Sequence, residues 1–279
     1  MLTFRKVTDI QSWILYHAAS GRTIGFVPTM GALHEGHISL INQSKESNDI
    51  TVCSIFVNPT QFNDPKDLEK YPRTLDADTQ LLADAGCDIL FYPSVQEIYP
   101  KDLKEINIDL DGLDEVMEGK HRPGHFKGVV QVVHRLLDIV KPDHLYMGQK
   151  DFQQFTIINK MIEVLQLPVK LEVCPIAREP NGLAMSSRNV RLGKNARSVA
   201  SKIYETISQA PDLMKSMNPE AISKLCFDTF NQEPFKIEYA EIADRKNLLP
   251  IKSWGNKGSA VLCIAVWLDG VRLIDNIII

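Results

Sequence analysis

The chain has 279 residues, 44% of them hydrophobic and 24% charged, and a net charge of -4. That length suits one large or two modest globular domains, and the acidic balance argues against nonspecific nucleic-acid binding, which needs a basic footprint. The five cysteines, Cys53, Cys87, Cys174, Cys226 and Cys263, are scattered, form no CxxC pair and lie mostly in apolar runs, the usage expected of reduced core thiols in the cytoplasm.

At the N-terminus no basic-then-apolar leader is present, and no later apolar run approaches the ~20 residues that span a bilayer, so no membrane partner is expected. Strand-like runs at 23–27, 50–57, 88–92, 144–147 and 169–175 alternate with helical patterns at 36–47, 75–85, 126–140 and 151–165. This rhythm predicts an α/β fold, a Rossmann-like parallel sheet flanked by helices, over residues 1–176. Residues 177–279 read as a smaller α+β domain closing over the active site: a loop, two helical stretches between 195 and 231, then strands at 237–243 and 259–266. A final hairpin over 265–273 turns at Asp269-Gly270.

The first chemical motif is Gly25-Phe26-Val27-Pro28-Thr29-Met30-Gly31-Ala32-Leu33-His34-Glu35-Gly36-His37, an apolar strand passing through a glycine-containing turn into a helix. The first N–H groups of such a helix lack intrahelical partners and, with the positive end of the dipole, attract anions. His34 and His37, three apart, can turn ring N–H groups toward one phosphate. A zinc site or two ordinary surface histidines are the alternatives, and zinc lacks a third ligand nearby in sequence.

Gly148-Gln149-Lys150-Asp151 follows the end of another strand, where open α/β sheets gather their ligands. The stretch Arg178-Glu179-Pro180-Asn181-Gly182-Leu183-Ala184-Met185-Ser186-Ser187-Arg188-Asn189 reads as a mobile phosphate-closing loop. Its two hydroxyls and a forked guanidinium suit β- and γ-phosphates. A solvated loop that caps the following helix is the alternative.

His34-Glu35-Gly36-His37 and Met185-Ser186-Ser187-Arg188 resemble the two signatures of the adenylate-forming nucleotidyltransferase superfamily. Together with Ser54-Ile55-Phe56-Val57-Asn58-Pro59-Thr60-Gln61-Phe62, Tyr71-Pro72-Arg73-Thr74, Arg122-Pro123-Gly124-His125-Phe126, Gly148-Gln149-Lys150-Asp151-Phe152-Gln153-Gln154 and Arg272-Leu273-Ile274-Asp275-Asn276, they make the chain similar to the pantothenate synthetase (pantoate-beta-alanine ligase) family over nearly its whole length.

The resemblance implies ATP as substrate with Mg²⁺, pantoate and β-alanine as the other substrates, a pantoyl adenylate intermediate, and a homodimer. It also implies a catalytic set of His34, His37 and Lys150, with His37 as a proton donor. The implied ATP contacts run over Met30, Gly31, Ala32, Leu33, His34, Glu35, Gly36 and His37, then Gly148, Gln149, Lys150 and Asp151, then Ala177, Met185, Ser186, Ser187 and Arg188. For pantoate it points to Gln61 and Gln154, supported by Asn58 and Met30. Neutral amides suit this substrate, because they orient a carboxylate without stabilising its ground state as strongly as a cation would. Metal ligands are unassigned: Asp76 and Asp78 are candidates, yet acids there equally favour the first turn of a helix behind Thr74. Arg122 and His125 border either the pocket or a subunit contact. The competing functions are transfer of a nucleotide to a phosphorylated metabolite, which gives no reason for Gln61 and Gln154 together, and an RNA-binding module, which the acidic balance opposes.

Overall fold

A computed structural model describes residues 1–63 and 65–279. In chain order the elements are β1 (Leu2–Phe4), α1 (Val7–Ala18), β2 (Ile24–Thr29), α2 (Glu35–Ser47), β3 (Ile50–Ile55), α3 (Pro65–Lys70), α4 (Leu75–Asp84), β4 (Ile89–Phe91), α5 (Val95–Ile98), α6 (Met117–His121), α7 (His125–Val140), β5 (His144–Gly148), α8 (Phe152–Val164) and β6 (Lys170–Cys174). Then come α9 (Lys194–Val199), α10 (Ser201–Ile207), α11 (Ala210–Leu213), α12 (Pro219–Phe230), β7 (Phe235–Asp244), β8 (Ala260–Leu268) and β9 (Val271–Ile278).

Two compact units result. The first comprises Met1–Leu110, His121–Gly148 and Gln154–Cys174; the second comprises Asp111–Lys120, Gln149–Gln153 and Pro175–Ile279. In the first, six parallel strands run in the order β1-β4-β3-β2-β5-β6. Every residue of β3 and all but Pro28 of β2 are buried, as expected of central parallel strands covered on both faces. The expected α/β sheet is present, and so is each strand and helix expected in this part of the chain, with ends shifted by a residue or two. The direction of strand addition reverses between neighbours β2 and β5, the switch point at whose carboxyl ends α/β folds bind ligands.

The sequence reading lacks β1, whose three residues are too few to show a periodicity. In the second unit, β7, β8 and β9 form an antiparallel sheet, and α12 buries Ile222, Cys226 and Phe230 in the same core as Ile237, Leu262 and Ile264. The β8–β9 turn has Asp269 at φ 52 and Gly270 at φ 70, the paired positive values of the type I′ hairpin expected for Asp-Gly. The two helical stretches expected between 195 and 231 are four helices, the third and fourth each opening with a proline at its first or second position.

Candidate functional site

In the first unit, β2 ends in a turn held from outside. Gly31 and Ala32 both have positive φ, 81 and 50. Asp78, buried on α4, stabilises that geometry by accepting the main-chain N–H of Ala32 at 2.9 Å and of Leu33 at 2.8 Å, and the Thr74 hydroxyl at 3.1 Å. Its carboxylate therefore serves the turn. Thr74 precedes α4 but its side chain bonds Asp78 rather than capping the helix.

α2 begins one residue beyond that turn. His34 is its N-cap, with ring Nδ1 accepting from the Gly36 N–H at 3.1 Å, while His37 Nδ1 accepts from the His34 N–H at 3.3 Å. This is a reciprocal capping box built from imidazoles instead of a hydroxyl and a carboxylate. Because a main-chain N–H can only donate, each Nδ1 is the unprotonated nitrogen, and Nε2 carries the hydrogen. The rings lie with centroids 4.1 Å apart.

The expectation of an anion cradle made by main-chain N–H groups is corrected here. The N–H groups of His34, Gly36, His37 and Ile38 are engaged within the turn, so the ring Nε2–H groups are the side-chain donors of this motif. Glu35 is exposed in the first helical turn.

After β3, residues Pro59–Gln61 make a single 3-10 turn capped by buried Asn58. Asn58 Oδ1 accepts from the Thr60 N–H, the Thr60 hydroxyl and the Tyr99 hydroxyl, the last at 2.8 Å. That fixes its amide, whose Nδ2 donates to the Gly128 carbonyl at 3.1 Å and to Gln61 Oε1 at 3.2 Å. Gln61 is oriented in turn: with Oε1 committed, its Nε2 donates to Met30 Sδ at 2.9 Å. A thioether is a weak acceptor, so this donor is only loosely satisfied. His125 Nδ1 holds the Gln61 carbonyl at 2.8 Å and is buried. His125 thus packs behind this turn, a structural tie that neither expected role specified. Burial raises the Tyr99 hydroxyl above its usual pKa, against its hydrogen bonds with Thr60 and Asn58. Phe62 stacks edge-on against Tyr71, and Gln154 lies half-buried in the first turn of α8.

In the second unit, Lys150 is largely buried, with Nζ 3.9 Å from Asp151. Its main chain is gripped by Asn276 of β9: Nδ2 donates to the carbonyls of Gln149 and Lys150, both at 3.0 Å, while Oδ1 accepts from Gln149 Nε2 at 3.1 Å. The neighbouring Asp275 makes a two-point ion pair with Arg178, at 2.6 and 3.0 Å. Burial pushes the Asp275 carboxyl up, opposed by the hydrogen bond and charge of Arg178. Arg178 also donates to the Gly182 carbonyl and lies 3.7 Å over the Tyr204 ring.

The loop itself is well tied. Met185 N–H meets the Ala177 carbonyl, Asn189 bonds Glu179 and the Ala184 carbonyl, and Glu179 pairs with Arg197. Ser186 caps the 3-10 turn Ser187–Arg191 by accepting from the Arg188 N–H, so the capping expected of this stretch is present, on a 3-10 turn ahead of α9. Behind it, Arg272 bridges Glu118 and Glu238, and the Tyr239 hydroxyl donates to Glu118 at 2.7 Å. Gln153 ties the 113–118 segment by donating to the carbonyls of Leu113 and Val116 and accepting from the Glu118 N–H.

Sequence reasoning missed Asp275, Asn276, Gln153 and Tyr99 as supports. The family-like Arg272-Leu273-Ile274-Asp275-Asn276 string was the one available signal for the first two. No group of three His, Cys, Asp or Glu side chains suited to a metal occurs among the described residues, nor does a helix long and apolar enough to cross a membrane.

Comparison with known proteins gives one consistent result. The family model described as pantoate-beta-alanine ligase matches residues 2–278. A pantothenate synthetase of Porphyromonas gingivalis is 49% identical over 278 residues, covering 99% of each chain, and one of Flavobacterium psychrophilum is 46% identical over 279 residues, again 99% of each. The solved pantothenate synthetase of Thermus thermophilus superposes with a TM-score of 0.91 at 35% identity over 99% of both chains. A pantoate-beta-alanine ligase of Francisella tularensis, solved in complex with beta-gamma ATP and beta-alanine, gives 0.82 at 39% identity over 100% of this chain and 97% of that one.

Proposed function

This chain belongs to the pantoate-beta-alanine ligase family, and from that premise we propose how its residues condense pantoate with β-alanine at the expense of ATP. The pantoate carboxylate attacks the α-phosphorus of ATP, pyrophosphate leaves, and a pantoyl adenylate remains. The β-alanine amine then attacks the acyl carbon, releasing AMP and pantothenate. The observation that carries the reading is likeness along the whole chain, from residue 2 to 278. ATP and β-alanine as ligands are supported by the Francisella complex.

In the first step, negative charge moves over the α-phosphate and onto pyrophosphate, so oriented donors contribute more than any protein nucleophile would. The Nε2–H groups of His34 and His37 are such donors. Their tautomer is fixed by the capping box before substrate arrives, which removes a reorganisation cost from the reaction. In this geometry His37 acts as a hydrogen-bond donor rather than a proton donor, because losing the Nε2 proton from a ring whose Nδ1 is unprotonated would leave an imidazolate. Lys150 follows the developing charge as a compact cation, and Ser186, Ser187 and Arg188 receive the β- and γ-phosphates. The remaining nucleotide contacts implied by the family resemblance fall to residues 30–36, 148–151, Ala177 and Met185.

Pantoate is held by Gln61 and Gln154. The supporting feature is the chain Tyr99 to Asn58 to Gln61, which presents an amide N–H to Met30 sulfur, a partner that a carboxylate or hydroxyl oxygen outcompetes. Mg²⁺, when bound with the nucleotide, would screen the triphosphate charge; Asp78, with its oxygens accepting from Ala32, Leu33 and Thr74, does not fit as its ligand. A cytoplasmic homodimer completes the reading, supported by the family resemblance and by five free, buried cysteines.

Pyrophosphate release from ATP and Mg²⁺, with and without pantoate, tests the reaction. Release that requires pantoate, followed by pantothenate and AMP on adding β-alanine, is the expected result. Release indifferent to pantoate would reject it and favour a nucleotidyltransferase acting on a phosphorylated metabolite.

A further inference from the structure

Lys150 and the Arg178–Asn189 loop come from distant parts of the sequence, yet consecutive residues of one strand hold both. Successive side chains on a strand point to opposite faces, so Asp275 and Asn276 can grip two different segments without competing. Asn276 uses its whole amide on the Lys150 segment, two N–H bonds to consecutive carbonyls and one acceptor bond from Gln149. Asp275 uses both carboxylate oxygens on Arg178 while Oδ1 also accepts the Asn276 N–H at 2.8 Å. Both residues are buried, at 4% and 2% exposure, in a strand paired along its length with β8. Such a support has few alternative conformations.

We propose that Asp275 and Asn276 are positioning residues: together they lock the Lys150 segment and the Ser186–Arg188 loop to a single strand, setting the spacing of the cationic and hydroxyl donors that meet the triphosphate. This rests on the assignment of Lys150 and the loop given above. The two arms have separable effects. Loosening the Asn276 arm displaces the cation that follows the α-phosphate and so slows adenylation. Loosening the Asp275 arm frees Arg178 and the loop, and so weakens nucleotide binding. A misplacement of about 1 Å at a reacting centre costs on the order of a hundredfold in rate.

The test is single-turnover pyrophosphate release by the full-length protein, with ATP and pantoate varied in turn. Asn276→Ala is expected to slow the step by roughly ten- to a hundredfold with KM for pantoate within about twofold, and Asp275→Asn to raise KM for ATP more than it lowers the rate. The deciding comparison is Asn276→Ala in a Lys150→Ala background. If Asn276 acts through Lys150, the double variant is no slower than Lys150→Ala alone. Multiplying losses, or a wild-type rate for Asn276→Ala, would overturn the proposal while leaving Lys150 its role. A wild-type rate for Lys150→Ala would overturn the assignment beneath it, and the proposal with it. Gln149→Ala, which removes one bond of the same grip from its partly exposed side, gives the same comparison should Asn276→Ala fail to fold.

Discussion

Asp78 accepts the main-chain N–H of Leu33 at 2.8 Å from a position 45 residues further along the chain. Together with its bond to Ala32, this puts a buried carboxylate beneath the turn that launches both histidines. Asp78→Asn keeps the shape but replaces one acceptor oxygen with a donor that faces an N–H. We expect a loss of about 1–3 kcal/mol in urea unfolding, the cost of an unsatisfied buried group, and a raised KM for ATP with pantoate use little changed. Unaltered ATP kinetics would show that the turn holds its form without this support.

Gly128 lies so close to the Pro59–Gln61 turn that an added Cβ would sit 2.5 Å from the Thr60 carbonyl oxygen. Backbone cannot yield cheaply, so Gly128→Ala should push α7 off the turn at about 1–3 kcal/mol and disturb the Asn58 bond to the Gly128 carbonyl. The expected signature is a several-fold rise in KM for pantoate at near-normal KM for ATP. Steady-state kinetics with each substrate varied read it directly, and equal effects on both substrates would argue against a pantoate pocket at this turn.

Removing a preorganised donor from a charge-developing site typically costs ~10²–10³ in rate. His37→Ala and Lys150→Ala should each slow adenylation on that scale. For His37 the accompanying loss of stability should be about 1 kcal/mol, because its ring also serves the helix cap. Gln61→Ala should act chiefly on pantoate. Single-turnover rates beside thermal melts separate the two effects, and normal rates in all three would sink the assignment.

Burial pushes the thiol of Cys87 up to about 12 and those of Cys174 and Cys226 to about 11 from an ordinary value of 9.0. In the unfolded chain they ionise near the ordinary value, so above about pH 9 the unfolded state loses protons first. Each thiol then withdraws about 1.4 kcal/mol of stability per pH unit until its folded value is reached. The melting temperature should therefore be flat with respect to these groups below pH 8 and fall steeply between pH 9 and 11. Cys226→Ala should shallow that fall, whatever it costs at neutral pH. At pH 8 a thiol reagent should find almost nothing in the native protein and five equivalents after denaturation.

What the sequence discloses here is what repeats locally. The alternation of strands and helices, the buried runs of β2 and β3 and the Asp269-Gly270 hairpin each depend on neighbours a few residues apart, and all are readable in advance. The histidine pair was legible as chemistry but not as architecture: imidazoles are not the side chains one expects in a capping box, so their Nδ1 bonds to Gly36 and His34 came as structural information. Asp78, Tyr99 and Asn276 act across 45, 41 and 127 residues. No local pattern announces such pairings, since an acid in a first helical turn or an amide in a strand has ordinary local reasons to be there.

The second unit gathers Asp111–Lys120 and Gln149–Gln153 from the middle of the chain. Glu118 partners Arg272 within it, and Gln149 partners Asn276. A fragment beginning at Pro175 would leave Arg272 with one carboxylate instead of two and the Asn276 amide without its three bonds. The C-terminal third is therefore not a transplantable module. Recombination between relatives at a single crossover near residue 175 would mate one parent's Glu118 and Lys150 segments with the other's strand, so only parents agreeing at all three segments would yield a working chimera.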